Sequence, residues 1–134
     1  MTERTLDHVG IAVPDLDEAI PIWTALTGAA AHGRESVVDQ GVEVVFVGTG
    51  SARVELLAPS RPDSAIGRFL ERRGPGLHHI CYRVPDLRSA LEAHRAAGFE
   101  LIDAEPRQGA HGHLIAFLHP RSTGGVLLEL LQSR

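Results

Sequence analysis

Residues 6–16 read LDHVGIAVPDL, and residues 77–87, 71 positions later along the chain, read LHHICYRVPDL. The repeat aligns His8 with His79. Each copy is followed by a second related segment, VELL at residues 54–57 and LELL at residues 128–131, which contains one glutamate. Each half of the chain therefore supplies one histidine and one glutamate at matching places, and this self-similarity predicts a duplicated module.

The alternation of side chains predicts that both histidines lie on the polar side of a strand. Val9, Ile11 and Val13 alternate with His8, which is the period-two pattern of a strand with one face on a core. The second copy repeats this pattern around His79. Because successive side chains point to opposite faces of a sheet, both histidines can face one concave surface while the aliphatic residues meet a helix.

The rest of each copy predicts a β-α-β-β-β module. Asp15 and Glu18 resemble a capping box at the start of a helix over residues 16–27, and Gly28 ends that helix. The other predicted elements are strands at 30–38, 42–47 and 53–58, a short helix at 64–73, a strand at 77–84, a helix at 87–97, and strands at 99–104, 113–119 and 126–131.

These elements predict an α+β fold in a single domain over residues 1–134, with module 1 at about 5–59, a connector at about 60–75 and module 2 at about 76–132. We expect the strands to form a cup-shaped mixed sheet with the helices on its outer face.

Two histidines and two glutamates in repeated register predict one divalent metal ion per chain. The proposed ligands are His8, Glu55, His79 and Glu129. The competing interpretation is four hydrogen-bonded polar residues inside strands, but the burial of two carboxylates without a cation costs several kcal/mol each. Imidazole and carboxylate ligands suit Mn²⁺, Co²⁺, Ni²⁺, Fe²⁺ or Zn²⁺. Two further positions of an octahedron then accept a substrate with two suitably spaced oxygens, such as a β-dicarbonyl.

Composition excludes several other classes of function. The chain has 134 residues and a net charge of −4, and all 13 of its basic residues are arginine. The absence of lysine excludes Schiff-base chemistry, and the absence of a basic run argues against nucleic-acid binding. No apolar run approaches the length of a membrane span, so we predict no membrane partner and a cytoplasmic location. The single cysteine, Cys81, is interpreted as a core residue.

A glycine-rich loop predicts contacts with substrate. The backbone N–H groups of Gly109, Ala110, His111 and Gly112 could receive a substrate carboxylate or thioester oxygen. The alternative is an ordinary hairpin loop. His111 itself is either a proton donor or a solvated loop residue.

Several motifs in order give the chain a strong resemblance to the methylmalonyl-CoA epimerases, a family of the vicinal oxygen chelate superfamily that also contains glyoxalase I. The motifs lie at residues 6–13, 54–59, 76–80, 109–112, 117–120 and 124–130. The resemblance implies the vicinal oxygen chelate fold and a metal-dependent epimerisation of (R)- and (S)-methylmalonyl-CoA through an enolate. It also implies a small-molecule acyl-CoA substrate, a homodimer and, among the divalent ions, Co²⁺ as the first choice.

The resemblance also implies roles for individual residues. It gives His8, His79 and Glu129 as metal ligands, with the fourth position, which is Gln in some epimerases, at Glu55. Some epimerases carry a glutamate, proposed as an acid/base, at the position of Val44 here. The remaining candidates for proton transfer are Glu129 and Glu43, although strand parity points Glu43 to the other face. We add Gln40, in the Gln-Gly-Val turn, to the predicted substrate contacts.

Three other functions compete with epimerisation. A glyoxalase-I-like isomerase of glutathione hemithioacetals would use a similar ligand set. An extradiol oxygenase is disfavoured because it keeps only three protein ligands around iron. A non-enzymatic protein that sequesters small molecules, similar to the bleomycin-resistance proteins, would use the same fold without a metal.

Overall fold

The structure, a computed structural model, describes residues 2–133 and divides into two compact units. The first unit comprises residues His8–His78, and the second comprises the residues up to Asp7 together with those from His79 onward. The boundaries fall within two equivalent strands, β1 (Leu6–Ala12) and β5 (Gly76–Arg83).

The first unit has a four-stranded sheet in the order β2-β3-β4-β1. Its further elements are α1 (Leu16–Thr27), β2 (Ala31–Val37), β3 (Val42–Val47), β4 (Val54–Pro59) and α2 (Ala65–Arg73). Strand β1 pairs with β4 in parallel, and the other neighbours are antiparallel. Helix α1 packs on β3 and β4, and α2 packs on β4.

Local signals explain why α1 has these bounds. The Asp15 carboxylate accepts a hydrogen bond from the backbone N–H of Asp17, which satisfies one of the unpaired donors at the helix start. Gly28 ends the helix in the left-handed conformation with φ of 71°. Leu16 and Ala19 then pack with Ile11 and other aliphatic side chains of one sheet face to form the core of this unit.

The second unit repeats this arrangement with a sheet in the order β5-β8-β7-β6. Its further elements are α3 (Leu87–Ala96), β6 (Arg107–Gln108), β7 (Leu114–Leu118) and β8 (Leu128–Gln132). Strands β5 and β8 are parallel, and β7 is antiparallel to both β8 and β6. Asp86 caps α3 as Asp15 caps α1, and Leu87 lies in a core with the aliphatic face of the sheet.

The strand predicted at residues 99–104 is the main error in the expected element order. Only Leu101 forms a bridge there, to Leu118, and the strand that pairs with β7 comes later, at Arg107–Gln108. The Asp103 carboxylate accepts the backbone N–H of Phe117 at 2.9 Å and so replaces a backbone partner in the ladder. The Phe117 carbonyl still accepts the backbone N–H of Ile102 at 2.9 Å, so this segment lies against β7 without forming a continuous strand. No helix among residues 2–133 is long and apolar enough to cross a membrane.

Candidate functional site

The first unit brings together a buried histidine and a buried glutamate. Strand register aligns Gly10 of β1 with Glu55 of β4, so Glu55 and His8 lie on the same face of the sheet, opposite the face that meets α1. The His8 Nε2 atom lies 3.2 Å from Glu55 Oε1. Only 2% of His8 and 6% of Glu55 is exposed. His8 therefore lies on the sheet face opposite the aliphatic residues, as the period-two pattern predicted.

The second unit contains an equivalent pair. Cys81 of β5 aligns with Glu129 of β8, which places Glu129 on the same sheet face as His79. The His79 Nε2 atom lies 3.1 Å from Glu129 Oε1. The exposed fractions are 4% for His79 and 6% for Glu129. The two units therefore reproduce the same contact between corresponding atoms.

An aromatic ring packs against each imidazole in an edge-to-face arrangement. The ring of Phe46 meets His8 edge to face with centroids 5.5 Å apart, and Phe117 meets His79 in the same way at 5.7 Å. Such contacts stabilise a ring orientation, here the one that directs Nε2 to the glutamate. The sequence pattern contained a signal for these two aromatic residues that was not used. They are 71 positions apart, as the two histidines are.

The chemistry of the donors fits a divalent cation. Each pair combines an imidazole nitrogen with a carboxylate oxygen in a buried setting, and a buried carboxylate costs several kcal/mol unless a positive charge or hydrogen bonds compensate it. Imidazole and carboxylate are the ligands that Mn²⁺, Co²⁺, Ni²⁺, Fe²⁺ and Zn²⁺ share. Each unit therefore supplies two ligands suited to such an ion.

Glu43 lies away from the pair in its unit. Strand β3 directs Glu43 to the face that meets α1, where its Oε1 lies 3.4 Å from the Arg34 guanidinium. Arg34 in turn donates to Asp17 of α1 at 2.6 Å. The structure thus places the Glu43 carboxylate on the opposite face of the sheet from His8, as its parity had indicated.

The predicted substrate contacts fall in turns of different units. Gln40 ends a short 3₁₀ turn before β3 in the first unit, and the loop of residues 109–112 precedes β7 in the second. Within this loop the N–H of Gly109 already donates to the His113 carbonyl at 2.9 Å. His111 has a φ of 59°, a left-handed conformation that is uncommon for a residue with a side chain and often found at functional sites.

Comparison with known proteins agrees with this arrangement. Residues 7–117 match the model of the glyoxalase/bleomycin resistance protein/dioxygenase superfamily. The ethylmalonyl-CoA/methylmalonyl-CoA epimerase of Cereibacter sphaeroides is 40% identical over 129 residues, which cover 95% of this chain and 96% of that protein. The chain belongs to this superfamily and, within it, to the methylmalonyl-CoA epimerase family.

Two further proteins are similar to this chain. The uncharacterised protein YqjC of Bacillus subtilis is 43% identical over 129 residues, 96% of this chain and 92% of its own length. A solved methylmalonyl-CoA epimerase in complex with methylmalonyl-CoA and NH₄⁺ is 35% identical, with a TM-score of 0.93 over 98% of this chain and 96% of that chain. These matches confirm the predicted α+β fold of the vicinal oxygen chelate type.

Proposed function

We propose that this protein is a metal-dependent epimerase that interconverts (R)- and (S)-methylmalonyl-CoA. The observation that carries the proposal is the buried pairing of a histidine with a glutamate at 3.1–3.2 Å in each of two repeated units, in a chain of the epimerase family. We further propose that His8, Glu55, His79 and Glu129 together hold one divalent ion per chain. A bound divalent ion supplies a Lewis acid that stabilises negative charge on substrate oxygens.

Different residues of this chain would have different roles in the reaction. The four ligands carry two negative charges, which leaves the site of a divalent ion electrically neutral before substrate enters. Phe46 and Phe117 hold the imidazoles in place and keep one side of each away from water. The carbon between the thioester and the carboxylate then loses its proton to a side chain, and a proton returns on the opposite face. We keep Glu129 as one candidate for this transfer.

The loop of residues 109–112 and Gln40 stay our candidates for substrate contacts. In the loop, the N–H groups of Ala110, His111 and Gly112 could meet a carboxylate or thioester oxygen, whereas that of Gly109 serves the turn itself. Cobalt as the native ion, a homodimer and a cytoplasmic location also stay predictions, as does the organisation of residues 1–134 as one domain with the predicted module boundaries.

Solvent exchange tests the proposed reaction directly. Purified protein loaded with Co²⁺ is mixed with one epimer of methylmalonyl-CoA in deuterated buffer. We expect deuterium at the α-carbon and conversion to a mixture of both epimers, and we expect a chelator to stop both. Retention of both the hydrogen and the configuration would reject the proposal. Turnover of methylglyoxal with glutathione instead would favour the glyoxalase-like alternative, and binding without turnover would favour a sequestering protein.

A further inference from the structure

A β-bulge in β2 changes which side chain faces the His8 side of the first sheet. His32 aligns with Phe46 of β3, but the next aligned pair is Glu35 with Val44. Two steps along β3 therefore correspond to three steps along β2, so β2 contains one extra residue. Gly33, with a φ of 67°, lies inside this irregularity. A glycine in the left-handed conformation is a common first residue of such a bulge, and bulges re-aim side chains near active sites.

The extra residue exchanges the places of an arginine and a glutamate. In a regular strand, Arg34 would lie opposite Val44, because it is two residues after His32. With the bulge, Arg34 instead contacts Asp17 on the α1 side of the sheet at 2.6 Å. Glu35 takes the position opposite Val44. Directly opposed residues of antiparallel strands point to the same face, so Glu35 and Val44 share a face.

That face is the one that carries the first pair of proposed metal ligands. Val44 is two residues from Phe46, which aligns with Glu55 and packs on His8. Val44 is buried, with 2% exposed, and has no group that can transfer a proton. Glu35 is half-buried. Within the described residues of β1–β4, Glu35 and Glu55 are the carboxylates that strand parity assigns to this face.

The equivalent position in the second unit carries the opposite charge. Ile115 of β7 corresponds to Val44, and it aligns with Arg107 of β6. Arg107 lies 3.4 Å from Asp103 and 5.9 Å from the centre of the Phe117 ring. An arginine stays protonated at any working pH and cannot accept a proton. The carboxylate on the same sheet face as the ligand pair is therefore a property of the first unit and is not copied by the repeat.

We propose that Glu35 is a catalytic carboxylate that transfers the α-proton on one face of the substrate. The inference rests on the proposed epimerisation. In one direction the Glu35 carboxylate takes the α-proton, and the electron pair of the C–H bond becomes the π bond of an enolate whose negative charge lies on the carbonyl oxygen. A second group gives a proton to the opposite face and is reprotonated by water, while Glu35 returns its proton to water. The reverse direction exchanges the two roles.

Two isosteric variants in the same hairpin test the assignment. Glu35→Gln removes the proposed carboxylate, and Glu43→Gln removes a carboxylate that lies on the opposite face of the same pair of strands. Each variant is assayed with both epimers in deuterated buffer, and inversion and α-deuteration are measured separately. Bound metal and the melting temperature are measured for each protein, so that a damaged site is recognised without reference to turnover.

We expect Glu35→Gln to invert methylmalonyl-CoA at least about 100-fold more slowly, because a positioned acid or base contributes about 10²–10⁴-fold. It should still exchange the α-hydrogen of one epimer with retention of configuration, since the second group remains, and it should keep its metal. Glu43→Gln should invert the substrate at the parent rate. A merely structural role for Glu35 would slow exchange from both epimers equally.

A double variant tests the same assignment by a gain of activity. Val44→Glu combined with Glu35→Gln returns a carboxylate to the facing position on β3, and we expect it to regain at least about tenfold of the lost inversion rate, within the range of an acid/base contribution. Inversion by Glu35→Gln at the parent rate, or equal loss of exchange from both epimers, would overturn the role of Glu35 alone. If the parent protein neither exchanges nor inverts the substrate, the proposed function fails and the inference fails with it.

Discussion

Removal of one histidine from either unit tests whether the two pairs share a single ion. The variants are His8→Ala and His79→Ala, which delete corresponding imidazoles of the two units. Four-ligand zinc sites in small peptides contribute about 10–16 kcal/mol. One of four ligands therefore accounts for about 3 kcal/mol, which is about 100-fold in the Kd of the ion. With one shared ion, both variants should lose this affinity to a similar degree.

The loss of affinity is measurable as a change in thermal stability. At a free Co²⁺ concentration of 100 times the parent Kd, binding stabilises the parent by about 2.7 kcal/mol, whereas a variant with 100-fold weaker binding gains about 0.4 kcal/mol. The unfolding entropy of a 134-residue chain is about 0.28 kcal/mol/K. The difference of about 2.3 kcal/mol therefore lowers the metal-induced rise in Tm by about 8 °C.

The assay compares Tm with Co²⁺ and with a chelator for each protein, together with the ion content after gel filtration. The difference between the two Tm values cancels any effect of the substitution on the metal-free fold. His32→Ala and His94→Ala serve as controls, one in each unit, and both should keep the full shift. Two ions bound per parent chain, or a full shift in one of the two ligand variants, would show that the pairs bind separately and refute the shared site.

Three further predictions concern stability. Leu16→Ala and Leu87→Ala should each lower the free energy of unfolding by about 2.7–5 kcal/mol in denaturant titrations, because both side chains are fully buried at the start of corresponding helices. Leu26→Ala, at a site 70% exposed, should change the free energy of unfolding little. An equal loss in Leu26→Ala would contradict the assignment of Leu16 and Leu87 to the core. Gly67→Ala should destabilise the protein in the same assay despite the better helix propensity of alanine, since its Cβ would lie 2.4 Å from the Pro62 carbonyl oxygen. Burial and then the charge of Arg4 lower the pKa of His94 below 6.5, so folding disfavours its protonated form. Its contribution to stability is present above about pH 6.5 and is lost as the pH falls from there through the lowered pKa of the folded protein. His94→Gln should show a shallower decline of stability with acid, and an unchanged slope would count against this.

The sequence predicted the local structure well where the signals are local. The helix predicted at residues 16–27 has those bounds, because Asp15 and Gly28 end it by hydrogen bonds with residues within one turn. The strand predicted at 42–47 is also confirmed. The strand predicted at 99–104 is wrong because Asp103 supplies a side-chain acceptor to Phe117, and an interaction across fourteen residues leaves no trace in the local pattern.

The sheet face on which the Glu35 side chain lies is a second feature that periodicity could not predict. Strict alternation from His32 directs Arg34 to the His8 face and Glu35 to the helix side. The bulge reverses this assignment for the rest of β2, and its only local signal is one glycine within a strand. A glycine in a strand interior indicates that a bulge is possible there, but the phase of the strand after it depends on pairing with β3.

The repeat predicts the parts of the proposed site that both halves of the chain supply. It does not predict the residues in which the two halves differ. An ion held by two equivalent pairs has ligands that a duplication can supply twice, and the contacts of His8 with Glu55 and His79 with Glu129 are nearly equal in length. The proposed substrate is not symmetric, because it has a carboxylate at one end and a thioester at the other. Groups that act on it must therefore differ between the units, and Glu35 and Arg107 are such a pair of unlike charges at corresponding positions. Self-similarity therefore predicts the proposed ligands, whereas the proposed proton-transfer group lies where the two units differ.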